Sequence, residues 1–424
     1  MKTTIHHATA EPFPVSSAKA PSLNYTVKDR SSVWIVVVII AMLFGGAAYL
    51  LAQEPAAQGQ GPRYAVTDLR SLGGTNSGGN SINDQTWVAG YSTLSGDLSR
   101  HAALWRNGRI LDLGTLGGPN SSVAWPVKNT RGFLAGISQT NKVQPLGEYW
   151  SQLAFFSGPD AVKYVCLGFV WKQGQMTALS TLGGDNGFAT GVNNNGLVAG
   201  WAENTCRDST CVPPQVLQFR PVVWNIENNY KIHELPLAFG DTSGAATALN
   251  DFNQVVGISG ICDQAVGRHT AKHAVLWHNG KVTDLGNLGA QWWNTPTAIN
   301  QQGDVTGFAG DPAYPEGDIL HAFIWTKERG MRPLGALPGH VHSEAYGINE
   351  RRQIVGISCD ASGADCRAFL WDNGVMRDLN DLKQAGYAGK LERGKDINNR
   401  GEITGRAVDA SGTVRTSFLA LPIH

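Results

Sequence analysis

His340-Val341-His342, followed by Glu344, is the run whose residue types most suggest chemistry. Imidazoles at alternate positions of an extended segment point the same way. With a carboxylate beside them they suit a metal ion or acid/base work. His340, His342 and Glu344 are therefore the catalytic or metal-ligating candidates, although a lone His-x-His is also how solvated loop histidines look. Neither a resident metal nor a cofactor is expected. Trp292 and Trp293 offer flat faces that suit stacking on a sugar or a partner's side chain. They suit wedging between elements equally well. Asp185, Asn186 and Asp241 lie in corresponding loops and join the two tryptophans as ligand-binding candidates. The run at 311–318 (DPAYPEGD) carries oxygens for calcium but fits no calcium-loop pattern, and reads as a solvated turn. There is no Gly-x-Ser-x-Gly elbow, no phosphate loop and no His-Glu-x-x-His helix. Those absences speak against a common hydrolase or nucleotide enzyme.

The six cysteines all fall after residue 160. Cys206 and Cys211 share one loop and Cys359 and Cys366 another, so those two local pairs are the expected staples. Cys166 and Cys262 are left over, and connectivity is not readable from spacing. The spacings match no usual zinc pattern. Cysteine pairs fit an oxidising compartment.

The elements that must position these residues form a repeat of about 50 residues. Its clearest copies begin with an aromatic strand, His321-Ala322-Phe323-Ile324-Trp325 or Arg367-Ala368-Phe369-Leu370-Trp371. A turn such as Asn107-Gly108 or Asn279-Gly280 follows, a strong hairpin signal because both residues tolerate positive φ. Next come a Leu-Gly strand and a Gly-rich corner, as at Leu116-Gly117-Gly118. The third element ends in an asparagine, at 83, 129, 193, 250, 300, 349 and 398. A Val-x-Gly strand closes the unit. Four short β-rich strands per unit is the signature of a propeller blade. The expected fold is an all-β, seven-bladed β-propeller over residues 63–424.

The two ends of the repeat complement one another. The last copy stops after its aromatic strand, Ser417-Phe418-Leu419-Ala420. The first copy opens with an unpartnered strand, Tyr64 to Leu69. That N-terminal strand is expected to be outermost in the closing blade, hiding an edge that would otherwise aggregate. The order then follows: the Asn-ending strand innermost, the Val-Gly strand second, the aromatic strand third. Positions two and four before each asparagine should crowd near the axis, and ten of these fourteen are Gly, Ala or Ser. Blade-to-blade loops and second-to-third-strand loops share one face, which gathers the cysteines, histidines and tryptophans above.

Residues 33–52 hold no charge, and twenty helical residues span about 30 Å, a bilayer core. Lys28 and Arg30 precede them. The positive-inside tendency then gives a cytoplasmic tail at 1–30, a signal-anchor helix at 31–52 and a flexible linker at 53–62. A single-pass membrane protein with its repeats periplasmic or extracellular is expected, with secretion after signal cleavage as the alternative. Formal net charge is zero and no basic stripe appears, so nucleic acid is not an expected partner.

The ordered pattern His-Ala-Phe-x-Trp, Asn-Gly-x-x-x-Asp-Leu-Gly-x-Leu-Gly-Gly, Ile-Asn, Val-x-Gly resembles the HAF-repeat family of bacterial extracellular proteins. The resemblance runs from Arg63 onward. Arg220-Pro221-Val222-Val223-Trp224 and Glu234-Leu235-Pro236-Leu237 depart from it. The resemblance implies an exported repeat protein and brings no catalytic residues. The expected function is a binding or interaction module showing a loop-rich face to a protein or glycan outside the cytoplasm. The alternative is an exported polysaccharide lyase or hydrolase using the axial funnel.

Overall fold

The chain divides into Met1–Gln58 and Gly59–His424. A computed structural model describes residues 62–148, 152–156, 158–263, 266–315 and 319–423, all in the second unit. The expected tail at 1–30 and span at 33–52, with the linker up to Gly61, lie outside the described residues.

The described residues are all-β and propeller-like, built from four-stranded antiparallel meanders. Each meander follows from its sequence. Asn107-Gly108 and Asn279-Gly280 take positive φ at both positions, which the tight hairpins after Trp105 and Trp277 require. Five sheets are separate, and a further eight-stranded sheet consists of two sets of four. One set is Gly73–Ile82, Val88–Leu94, Arg100–Arg106 and Arg109–Asp112. The other is Lys390–Ile397, Ile403–Val408, Arg415–Ile423 and, from the chain's opposite end, Arg63–Asp68. Arg63–Asp68 pairs antiparallel with Arg415–Ile423, Arg63 facing Ile423 and Asp68 facing Phe418. A single parallel pairing, Asn76 with Arg415, links the two sets.

The core lies between sheets. One apolar cluster joins Leu104 of one sheet, Phe169 and Val170 of the next, and Val198 and Trp224 of the third. Strands covered on both faces read as unbroken apolar runs, which is why Ala102 to Trp105 are all buried. Each fully buried Phe, such as Phe169, Phe323 or Phe418, contributes roughly 1.5–3 kcal/mol. Three repeat tryptophans staple sheets together. Trp224 Nε1 donates to Ser180 O at 2.9 Å, Trp277 Nε1 to Pro236 O at 2.6 Å and Trp105 Nε1 to Arg70 O at 2.6 Å. Ser180 and Pro236 follow the fourth strand of the preceding sheet, and Arg70 follows Arg63–Asp68 in the same way.

From Gly183–Val192 onward the first strands of successive sheets touch one another, and Gly73–Ile82 touches Lys390–Ile397. Their terminal asparagines are linked in succession. Asn398 Nδ2 donates to Asn83 O at 3.0 Å and Asn83 Nδ2 to Asn129 O at 3.4 Å. Asn129 reaches Val192 O at 3.3 Å, and Asn193 reaches Asn250 O at 2.9 Å. The series continues from Asn250 to Asn300, Asn349 and back to Asn398. Each Oδ1 meanwhile accepts main-chain N–H groups of its own turn, as Asn193 does from Asn195 and Leu197. These Asx turns explain the residue type: a side chain that both donates and accepts is needed at once. Close approach also explains the small residues nearby. A Cβ on Gly79 would lie 2.2 Å from Thr404 Oγ1, on the last sheet.

Two sequence expectations need correction. No helix among the described residues is long and apolar enough to cross a membrane. The α-helices, Gln152–Phe155 and Leu379–Leu382, have four residues each. That is about 6 Å of rise against the ~30 Å of a bilayer core, so the single-pass membrane assignment is withdrawn. The Cys206–Cys211 pair does not form. Cys211 is bonded to Cys262 of the next sheet, and Cys206 is free and exposed. The cause is the loop's path. Val212 N donates to Asp263 O at 2.8 Å and Asp263 N to Thr210 O at 3.1 Å, which lays the loop along the neighbouring sheet's connection. Cys359 is bonded to Cys366, and Cys166 is free and buried.

Candidate functional site

A β-bulge interrupts the first strand of six four-stranded sets, two of them in the eight-stranded sheet, at the same place, three residues before the asparagine. The extra residues are Asn80, Thr190, Thr247, Thr297, Tyr346 and Lys395. A bulge leaves one residue unpaired and re-aims its side chain. At one end of the inner strands the bulged residues meet those two positions earlier around a cavity of ≈320 Å³. Asn80, Thr297, Tyr346 and Lys395 line it together with Glu344. Its remaining wall is apolar: Trp125, Pro126, Phe155, Trp293 and Phe308. Trp125 is held edge-on by Phe188 and Trp201, with ring centroids 5.6 and 6.1 Å away.

A second cavity of ≈190 Å³ adjoins the first and shares Asn80, Ala124, Phe155 and Lys395 with it. Its wall is cationic: Arg100, Arg393, Lys395 and Arg406, with Tyr91 and Asn76. The two cavities form one amphipathic funnel. Lys395 sits 3.6 Å from the centre of the Tyr346 ring, and the Arg100 guanidinium 4.2 Å from that of Tyr91. Lys395 is half-buried and lines both cavities. Burial, then the charge of Arg393, pulls its ammonium down to about 7.

Glu344 is locked in this wall. His342 Nε2 donates to Glu344 Oε1 at 2.9 Å, and Tyr346 OH donates to Oε2 at 2.7 Å. Leu320 N donates to His342 Nδ1 at 3.2 Å, which fixes the neutral tautomer with its proton on Nε2. Burial works to raise the Glu344 carboxyl, but His342, Tyr346 and Arg393 together hold it below its ordinary value. An ionised carboxylate with both oxygens occupied is a poor proton donor.

The other sequence candidates are dispersed. His340 turns away from Glu344, with Nδ1 3.1 Å from Ser358 Oγ and Nε2 3.6 Å from Asp365. No group of three His, Cys, Asp or Glu side chains suited to a metal occurs among the described residues. Trp293 lines the funnel, in a left-handed backbone conformation at φ 56°. Trp292 instead wedges against Gly310, where a Cβ would meet its indole at 2.5 Å. Asp185 pairs with Lys142 outside the funnel. Asn186 is fully buried and donates to Glu203. Asp241 accepts from Ser259 Oγ at 2.6 Å and supports a sheet. Asp311 accepts from Ala313 N within its turn and lies 2.8 Å from His321 Nε2; residues 316–318 are outside the described residues.

Sequence reasoning missed Arg100, Arg393, Lys395 and Arg406. It followed positions two and four before each asparagine, whereas positions three and five line the funnel, as Thr297, Tyr346 and Lys395 do at three and Thr295, Glu344 and Arg393 at five. The available signal was variety: position three reads Asn80, Pro126, Thr190, Thr247, Thr297, Tyr346 and Lys395 beside mostly small neighbours.

No protein-family model matches the chain, and no curated protein matches it. Among solved structures it is similar to a dipeptidyl peptidase 4 of Porphyromonas gingivalis. The TM-score is 0.38 at 10% identity, over 78% of this chain and 48% of that one. It is also similar to a structural-genomics protein of unknown function from Bacteroides thetaiotaomicron VPI-5482. There the TM-score is 0.34 at 10% identity, over 85% and 95% of the two chains. The chain spans about half the length of the peptidase. Likenesses this distant carry no argument about activity.

Proposed function

We infer that the chain is a seven-bladed propeller of the HAF-repeat kind, closed by its N-terminal strand, that binds a glycan or protein ligand in the axial funnel without turning it over. The ring is supported by the pairing of Arg63–Asp68 with Arg415–Ile423 and by the asparagine series that returns from Asn398 to Asn83. The observation that carries the binding reading is the funnel itself. Bulges on separate strands aim unlike side chains into one amphipathic cavity, where concave apolar walls with a few placed polar groups suit a ligand. The lock on Glu344 supports binding over catalysis, because general-acid work needs a carboxyl free to give a proton.

The test is to incubate the protein with a panel of neutral and acidic oligosaccharides and short peptides. Saturation-transfer NMR reports binding and mass spectrometry reports products. Binding without product is expected, weakened at least tenfold in Trp293→Ala. Product release that disappears in Glu344→Gln would overturn the reading in favour of an enzyme.

A further inference from the structure

Glu344 and Glu392 act on the cationic half of the funnel through space, but they leave most of its cations without a bonded carboxylate. Of its four cations only Arg406 has a carboxylate partner, Glu392 at 2.8 Å. Arg100, Arg393 and Lys395 make no ion pair among the described residues. The Nε atoms of Arg100 and Arg393 are buried with no hydrogen-bond partner. Buried donors and charges left unmatched are costly, and folds keep them where something else completes them. Glu344, the carboxylate in the funnel wall among the described residues, has both oxygens occupied. The guanidinium and ammonium groups line a cavity of ≈190 Å³, which is large enough to admit a small anionic group. Directly beside it lies the aromatic wall of Trp125, Phe155, Trp293 and Phe308.

We propose that the funnel binds a carboxylate carried on a ring with a flat apolar face, the carboxylate held by Arg100, Arg393 and Lys395 and the ring lying on Trp293 and Trp125. The inference rests on the binding reading above and narrows it to one ligand chemistry. Planar guanidinium groups match a carboxylate in two parallel hydrogen bonds. Aromatic side chains take the C–H face of a sugar or the face of an aryl ring alike. Both an acidic sugar and an aryl carboxylate have this chemistry.

The affinity should depend on pH through Lys395. The titratable groups facing it are Arg393 and Glu392 on its own strand, Glu344 and Tyr346 on the strand before, Arg406 behind, and Arg100 and Tyr91 across the cavity. Glu344 is held below its ordinary value and Arg393 above its own, whereas Lys395 is brought to about 7, so its charge changes near neutrality. A bound carboxylate favours its protonated form, and binding weakens as pH rises through about 7.

The experiment is isothermal titration of the full chain at pH 6 and pH 8.5. The probes are trigalacturonate, 3-phenylpropionate and their neutral counterparts, a neutral galactose trisaccharide and 3-phenylpropanamide. The expected result is at least tenfold tighter binding of one acidic probe than of its neutral counterpart at pH 6, with that preference reduced at pH 8.5. The probe that binds identifies the source, sugar or aryl acid. Lys395→Gln should remove the preference at pH 6 while keeping or raising the thermal midpoint, since an unmatched charge is removed. Lys395→Arg should keep the preference and lose its pH dependence. Equal binding of acidic and neutral probes, with both weakened by Trp293→Ala, would overturn this inference and leave the binding reading standing. No binding by any probe that Trp293→Ala affects would overturn both.

Discussion

Glu203 shows how a single residue sets the response of the fold to pH. It is fully buried. Its Oε2 accepts from Asn186 N at 2.8 Å and its Oε1 from Gln215 Nε2 at 3.1 Å. Burial first, then the charge of Glu148, pushes its carboxyl up to about 8. Glu148 is itself raised by burial, although Val216 N and Leu217 N donate to it. Two carboxyls in one dry network do not both ionise. The folded protein therefore holds a proton that the unfolded chain releases near 4.5, so stability falls as pH rises from about 4.5 to about 8. Thermal midpoints of Glu203→Gln should show a flatter pH profile over that window and exceed the wild type at pH 8. An unchanged slope would place the proton elsewhere. Little of this was legible in the chain, because Glu148, Glu203 and Gln215 lie far apart in sequence and meet only through packing. Glu344 and Trp293 were legible as candidates, since residue type alone marked them.

Among the elements, the repeat motifs serve the scaffold. In two units the histidine that opens the aromatic strand pairs with the aspartate of the Leu-Gly strand, His101 with Asp112 at 2.9 Å and His273 with Asp284 at 2.8 Å, while His321 pairs with Asp311 of the preceding loop. Where the sequence departs, the pair is kept by other residues: Arg220 with Glu234 at 2.7 Å and Arg367 with Asp378 at 3.2 Å. So the runs that break the pattern keep its physics. The disulfides differ in what they join. Cys359–Cys366 closes a separation of 7 residues inside one hairpin, and Cys211–Cys262 a separation of 51 between neighbouring sheets. Loop entropy then gives about 2 and about 4 kcal/mol respectively. Cys211→Ser should lower the unfolding free energy by roughly twice as much as Cys359→Ser in denaturant titrations. Equal losses would mean the inter-sheet contact is already held by its backbone bonds. The error over Cys206 arose at this scale, because sequence proximity does not reveal that a loop leaves its own sheet.

The proposed ring depends on the meeting of its first and last units. Strand content and repeat order were legible because each strand buries both faces and each turn carries its own residue signature. The site was less so, because one inserted residue in a first strand changes which side chains face the funnel. Ring closure remains the central claim, since the funnel exists only if the first and last units meet. Asp396 of the last unit ties them further, accepting from Ile82 N at 2.8 Å while Lys128 donates to it. Val66 and Ala420 face each other across the pairing of Arg63–Asp68 with Arg415–Ile423, at a spacing that suits a disulfide. The direct measurement is to oxidise Val66→Cys/Ala420→Cys in a Cys206→Ser background and map the bond by mass spectrometry. The account predicts a quantitative bond within one chain and a higher thermal midpoint. Free thiols at 66 and 420 in the folded protein, or a bond between two chains, would contradict it.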